Sequence, residues 1–291
     1  MNRRLCCAIV GLIAALTVTC SRRTPPEQAR RYELRGQVLS LQLDRSEVTI
    51  HHEDIPGFMP AMTMPFRTKD RGSLAGLQPG DLVRGTLVVL EDDAYLEGLE
   101  RTGHAALPAS APAVPEPGVP ALKPGEAVPD EAFVDQDGRK VRLSSFAGSA
   151  LVVTFIYTRC PLPDYCPRMD RQFAAIQAAI ASGRVPTPVK LISVSFDPAF
   201  DTPAVLKEHA AKVGANTAIW SFLTGDLKAV DEFGARFGLS VLRAERDPAD
   251  ITHNLRTAVI DARGRLVKIY DGNKWTPPEI VADLASLTPG T

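Results

Sequence analysis

The feature that most constrains this chain is residues 103–120, which read GHAALPASAPAVPEPGVP. Proline removes backbone donors and the stretch has no apolar periodicity, so it cannot contribute to a packed core. It behaves as a semi-extended spacer, spanning on the order of 50 Å at ~3.1 Å per residue. The 291 residues therefore divide into a folded unit on each side, residues 31–101 and 123–288, joined by a linker at 102–122. Each unit is long enough to bury a core of its own.

Composition narrows the function. With 33 basic and 34 acidic residues there is no excess charge to set against phosphates, which excludes a nucleic-acid binder. At 45% hydrophobic and 23% charged the chain is globular, neither disordered nor a coiled coil. The only long apolar run, residues 5–18, is short for a membrane span and follows Arg3 and Arg4, as a secretory signal does. It ends at Leu16-Thr17-Val18-Thr19-Cys20, which looks like a bacterial lipoprotein signal with Cys20 as the lipidated residue and residues 1–20 as the leader. An ordinary cleaved signal and a short uncleaved anchor are the alternatives. All three readings put the mature chain outside the cytoplasm, where disulfides persist. Cys6 and Cys7 lie inside the apolar run as filler. Of the five cysteines, Cys160 and Cys166 then remain as functional candidates.

The first unit reads as all-β. Short β-branched or alternating runs at 38–41, 47–51, 82–89 and 94–99 are separated by turn signals at Asp44-Arg45-Ser46, Gln78-Pro79-Gly80 and Glu91-Asp92-Asp93. Roughly five short strands in so small a unit predict a closed barrel, which removes exposed edges. The second unit alternates. Apolar runs at 151–157 and 189–196 read as buried strands, 167–181 as a helix, and Thr202-Pro203 as the capped start of another. A hairpin at 258–270 and a helix from about Pro277 complete an α/β unit.

Three of the chain's five methionines, Met59, Met62 and Met64, fall within six residues, just after His51-His52. Met62 and Met64 share a face of any strand that contains them. Two thioethers and an imidazole form a soft donor set suited to Cu(I). The plainer reading is a core face, since methionine fills irregular gaps. The stretch resembles the CusF-like periplasmic copper-binding domains, small OB-like β-barrels that pair a histidine with a downstream Met-x-Met. The resemblance implies a copper site at His52, Met62 and Met64, with His51 as the alternative imidazole. Met59, standing where some relatives have a capping tryptophan, is a further candidate.

Cys160 and Cys166 lie between the end of a buried strand and a helix start, where α/β folds place their chemistry and where a helix N-terminus favours thiolate. Such a pair can bind copper, exchange disulfides, or staple the fold. The region 155–169, the run Val194-Ser195-Phe196-Asp197-Pro198-Ala199-Phe200-Asp201-Thr202-Pro203, and Thr252-His253-Asn254 together resemble the Sco/SenC family. These are thioredoxin-like copper proteins that assist assembly of the dinuclear copper centre of cytochrome oxidase. The resemblance implies copper held by Cys160, Cys166 and His253. It also implies three residues between the cysteines and an acid before the histidine; this chain has five, and Thr252. His104, His209, Asp197 and Asp201 read as structural, the two aspartates as caps and turns.

The expected protein is a periplasmic copper metallochaperone, lipid-anchored if Cys20 is modified. Its implied partner is the copper-bearing subunit of cytochrome c oxidase or another copper chaperone. Two alternatives stay open: a thiol–disulfide oxidoreductase with Cys160 and Cys166 as its redox pair, and a copper-tolerance protein that only sequesters the metal.

Overall fold

The computed structural model describes residues 29–107, 119–185, 188–243 and 251–287. The leader with Cys20, and most of the spacer, lie outside the described residues. Among those described, no helix is long and apolar enough to cross a membrane.

The first unit is a five-stranded antiparallel sheet: β1 (Arg30–Gln42), β2 (Glu47–His52), β3 (Met62–Arg67), β4 (Asp81–Val89) and β5 (Ala94–His104), in the order β3-β2-β1-β4-β5. Alternation sends Leu34, Val38, Val48, Ile50, Phe66, Val83, Leu87 and Leu96 inward. The sheet closes where Thr68 pairs with Leu96 and the Lys69 N–H donates to the Leu96 carbonyl at 2.9 Å. The expected barrel is therefore present, but its seam lies just past the end of β3, so β3 itself keeps an outer edge. Gly36 sits against β2 so closely that a Cβ there would lie 2.4 Å from the His51 carbonyl oxygen and 2.7 Å from His52 Cα. Only glycine lets β1 press on the histidine pair this tightly.

The last strand, β5, runs past residue 101 to His104, whose Nδ1 lies 2.9 Å from the buried Asp81 carboxylate. His104 thus belongs to the barrel and not to the linker. Chain order persists to Ala105 and Ala106, whose carbonyls accept from the Gln37 side chain.

The second unit contains β6 (Ala132–Asp135), β7 (Lys140–Arg142), β8 (Ala150–Ile156), α1 (Cys166–Ala181), β9 (Val189–Ser195), α2 (Pro203–Lys212), β10 (Trp220–Thr224), α3 (Leu227–Ala235), β11 (Val241–Arg243), β12 (Ile251–His253), β13 (Arg256–Ile260), β14 (Leu266–Asp271) and α4 (Pro277–Ser286). Seven strands form one sheet in the order β14-β13-β8-β9-β10-β6-β7, with β8, β9 and β10 parallel. β11 and β12 pair separately. Every residue of β8 is buried, as its unbroken apolar sequence predicts. α1 lays Met169, Phe173 and Ile176 on the core. α2 begins as its sequence predicts, with Thr202 accepting from the Val205 N–H and Pro203 in the first turn. The result is the α/β, thioredoxin-like unit with its cysteine loop at the carboxyl end of the buried strand β8.

Candidate metal centres

The two thiols are brought together, and both are free. Cys166 opens α1 and is buried; Cys160, six residues earlier in the loop, is half-buried. Burial works against the Cys160 thiolate. The Cys166 thiol and backbone N–H, the Leu162 backbone and the Tyr157 hydroxyl all hydrogen-bond to it, however, and together hold the Cys160 thiol below the ordinary range. Burial pushes the Cys166 thiol well up, and the neighbouring Cys160 raises it further. The helix N-terminus expected to favour thiolate thus acts through the first N–H of α1 on Cys160, while Cys166 remains the protonated partner.

Two aspartates fix the segment that leads into the loop. Asp201, fully buried, accepts from the Thr158 N–H at 3.1 Å, the Thr158 hydroxyl at 2.5 Å and the Ser195 hydroxyl at 2.6 Å. Asp197 takes the Arg159 guanidinium through Nε at 3.0 Å and Nη2 at 2.6 Å, and Arg159 lies 4.4 Å over the Phe200 ring. Beyond capping and turning the chain, the two aspartates set the two residues just before Cys160. Asp201→Ala leaves three donors without their acceptor, at ~1–3 kcal/mol for each group left buried and unpaired. We expect a loss of about 3 kcal/mol or more in chemical denaturation of the second unit, with Asp201→Asn losing less because one acceptor oxygen remains.

His253 ends β12. Its Nδ1 lies 2.8 Å from the Asn254 carbonyl, so Nδ1 carries the proton and Nε2 presents a lone pair. Phe196, Tyr157 and Tyr165 surround the ring at centroid distances of 4.6, 5.6 and 6.5 Å. Burial among them pushes the imidazole down to about 4, so it is neutral at pH 7 and available as a donor. Among the described residues no three His, Cys, Asp or Glu side chains are gathered close enough to hold one ion. The thiols are paired, and Tyr157 stands between them and His253: its hydroxyl is on Cys160 and its ring packs at right angles to the imidazole.

The barrel holds the second donor set. His52 pairs directly with Met62, and Ile50 with Met64, so the imidazole and both thioethers share the inner face of β2 and β3. His52 is fully buried, and Met59, Met62 and Met64 are nearly so, within one apolar cluster. Met59 joins it from the Ile55–Met59 turn. His52 Nδ1 lies 2.7 Å from the Glu53 carbonyl, and its Nε2 is buried with no hydrogen-bond partner. A buried lone pair without a donor is costly unless something else takes it. Together with two thioethers it suits a soft cation. His51 points outward instead, with Nδ1 2.9 Å from the Thr63 hydroxyl, which separates the two histidines that sequence spacing left open. The two candidate centres thus use one device: an imidazole that spends Nδ1 on the carbonyl of the following residue, leaving Nε2 as the donor atom.

A cleft of about 650 Å³ runs between the units and opens on His253. Thr49, Thr63 and Pro65 line it from the barrel, and Tyr165, Thr252 and Asn254 from the second unit. His209, on α2, lies 3.0 Å from Asp170 and has a structural partner away from either centre.

Comparison with known proteins agrees with both units. The family model described as copper binding periplasmic protein CusF matches residues 31–101, and the SCO1/SenC model matches residues 123–289. A Bacillus subtilis SCO1 protein homolog is 29% identical over 156 residues, 53% of this chain and 79% of the relative. A SCO2-like protein of Rickettsia felis is 26% identical over 150 residues, covering 48% of this chain and 67% of the relative. The crystal structure of a SCO1/SenC family lipoprotein from Bacillus anthracis superposes with a TM-score of 0.51 at 27% identity, covering 58% of this chain and 99% of that one. The chain belongs to the SCO1/SenC family, with a CusF-like unit fused ahead of it.

Proposed function

We propose that the protein is a copper metallochaperone of the periplasmic side of the cytoplasmic membrane, which takes up Cu(I) and hands copper to the copper-bearing subunit of cytochrome c oxidase. The observation that carries the reading is the pair of separate soft donor sets. Each is centred on a neutral imidazole whose Nδ1 is held by the carbonyl of the next residue, and in the barrel Nε2 is buried without a partner. In the second unit Cys160, Cys166 and His253 hold the metal; in the barrel His52, Met62 and Met64 do, with Met59 alongside. Cargo passes by ligand exchange, so a thiol held low beside a protonated partner suits both capture and release. The lipoprotein to which the chain is similar, and the periplasmic CusF model, support a mature chain that works outside the cytoplasm, anchored through Cys20.

The second reading is thiol–disulfide exchange, favoured by the opposite displacement of the two thiols, one lowered and one raised. One variant separates the readings. His253→Ala removes a metal donor but no part of the disulfide chemistry. Competition against a Cu(I) chelator is expected to show at least a tenfold weaker second-unit site, in line with the ~10–100-fold cost of losing even an outer partner. Redox titration in a thiol buffer is expected to stay at the wild-type potential. Unchanged copper affinity with impaired disulfide exchange would favour the oxidoreductase.

A further inference from the structure

The segment between the two cysteines, Pro161-Leu162-Pro163-Asp164-Tyr165, makes contacts that its own unit does not need. Leu162 is 2% exposed, and it is buried in the barrel's apolar cluster, together with Met59, Met62 and Met64. Asp164 faces Arg67 of β3 at 3.6 Å. The Tyr165 hydroxyl, kept protonated by burial, donates to the Pro65 carbonyl at 2.9 Å. Next to His253, the Thr252 hydroxyl donates to the Thr63 carbonyl. Arg171 of α1 donates to the Asp92 carbonyl at 3.2 Å.

Apart from the Arg171 contact to the β4–β5 turn, the polar contacts converge on one strand. β3 pairs with β2 on one side, and the barrel seam at Thr68–Leu96 lies beyond its end, so the carbonyls of Thr63 and Pro65 face outward. An unpaired strand edge invites a partner. Here the partner is the second unit: its hydroxyls cap those carbonyls while Leu162 enters the core beside them. Pro65 has no N–H to lose on that edge. Cys160 packs against both apolar clusters, so the cysteine loop bridges the core of its own unit and the thioether-bearing core of the barrel.

We propose that the cysteine loop is a docking plug, and that the docked arrangement passes Cu(I) directly from the barrel donors to Cys160 and Cys166 of the same chain. This rests on the copper reading above. Copper remains Cu(I) throughout: bonds to the Met62 and Met64 thioethers and to His52 Nε2 break as bonds to the two sulfurs form. Each thiol that becomes a thiolate ligand gives its proton to water. Met59, Met62, Met64 and His52 are all closed off in the docked state, so loading from outside requires the units to part, and docking follows loading.

The test uses the full chain. The Cys160–Cys166 pair is oxidised to a disulfide and the barrel is loaded with one equivalent of Cu(I). A phosphine reductant is then added together with an excess of a Cu(I)-chelating dye. In the wild type most of the copper is expected on the thiolates, seen by X-ray absorption, at a rate independent of protein concentration. In Leu162→Asp, which alters no donor, the dye is expected to capture most of it, and hydrogen exchange across residues 62–67 should quicken by about tenfold or more. Tyr165→Phe should give a smaller shift in the same direction. Equal capture by the dye in the wild type and Leu162→Asp, with both sites of each still binding Cu(I), overturns the relay. Failure of either wild-type site to bind Cu(I) in a direct titration would instead overturn the copper reading. Should Leu162→Asp not fold, Leu162→Ala decides by the same measurements.

Discussion

Replacing either thiol, Cys160→Ser or Cys166→Ser, is expected to lower the Cu(I) affinity of the second unit by more than about 100-fold, the upper range for loss of a mere outer partner. The physical reason is donor charge and softness. A thiolate is an anionic, polarisable ligand, whereas serine offers a neutral, hard hydroxyl that does not ionise near neutral pH. The two replacements should differ in what they leave behind. Without Cys166, Cys160 loses the thiol hydrogen bond that helps hold it low, but keeps those from the Leu162 backbone and the Tyr157 hydroxyl. Without Cys160, the remaining thiol stays raised by burial. Cys160→Ser should therefore be the more damaging at neutral pH, and its residual binding should strengthen more as pH rises. The measurement is metal counting and chelator competition on the reduced full chain, where stoichiometry should fall from two Cu(I) to one. Retention of two tightly held Cu(I) in either variant would remove the thiol pair from the site.

Much of this arrangement was legible in the residues, and where it was not the reasons are particular. β8 and β9 announce themselves because strands buried on both faces carry unbroken apolar runs. Thr202-Pro203 marks α2 because capping and first-turn chemistry are local. β6, β7 and β10 are only three to five residues long and carry no comparable run, so the sheet has more strands than the sequence suggests. The donor residues were found because sulfur and imidazole are few. The residues that position them were not: Asp201 reads as a helix-capping acid from its neighbours, and only the fold shows it gathering Thr158 and Ser195. Leu162 is a lone apolar residue between prolines, with no periodicity to indicate a core, because the core it joins belongs to the other unit. Such long-range partners carry no local pattern.

The double replacement Met62→Leu with Met64→Leu tests the barrel in the opposite sense, by holding the packing and removing the chemistry. Both side chains sit in the barrel core, at 3% and 7% exposure. Leucine matches methionine in volume, and such swaps usually cost less than ~1.5 kcal/mol each. The barrel is therefore expected to stay folded, with less than ~3 kcal/mol lost in chemical denaturation. What it loses is every sulfur donor on the β3 face, leaving His52 Nε2 with Met59 at most. Barrel Cu(I) binding is expected to disappear from a chelator competition at micromolar copper, while the thiol site binds as before and stoichiometry falls from two to one. The order of loading should change with it: if copper enters through the barrel, the double variant fills its thiols only from copper free in solution, at a rate that rises with added Cu(I). Collapse of the fold on this substitution would show the methionines to be packing residues first. Retention of both copper equivalents, with the fold intact, would show that the orphaned imidazole serves something other than a soft metal.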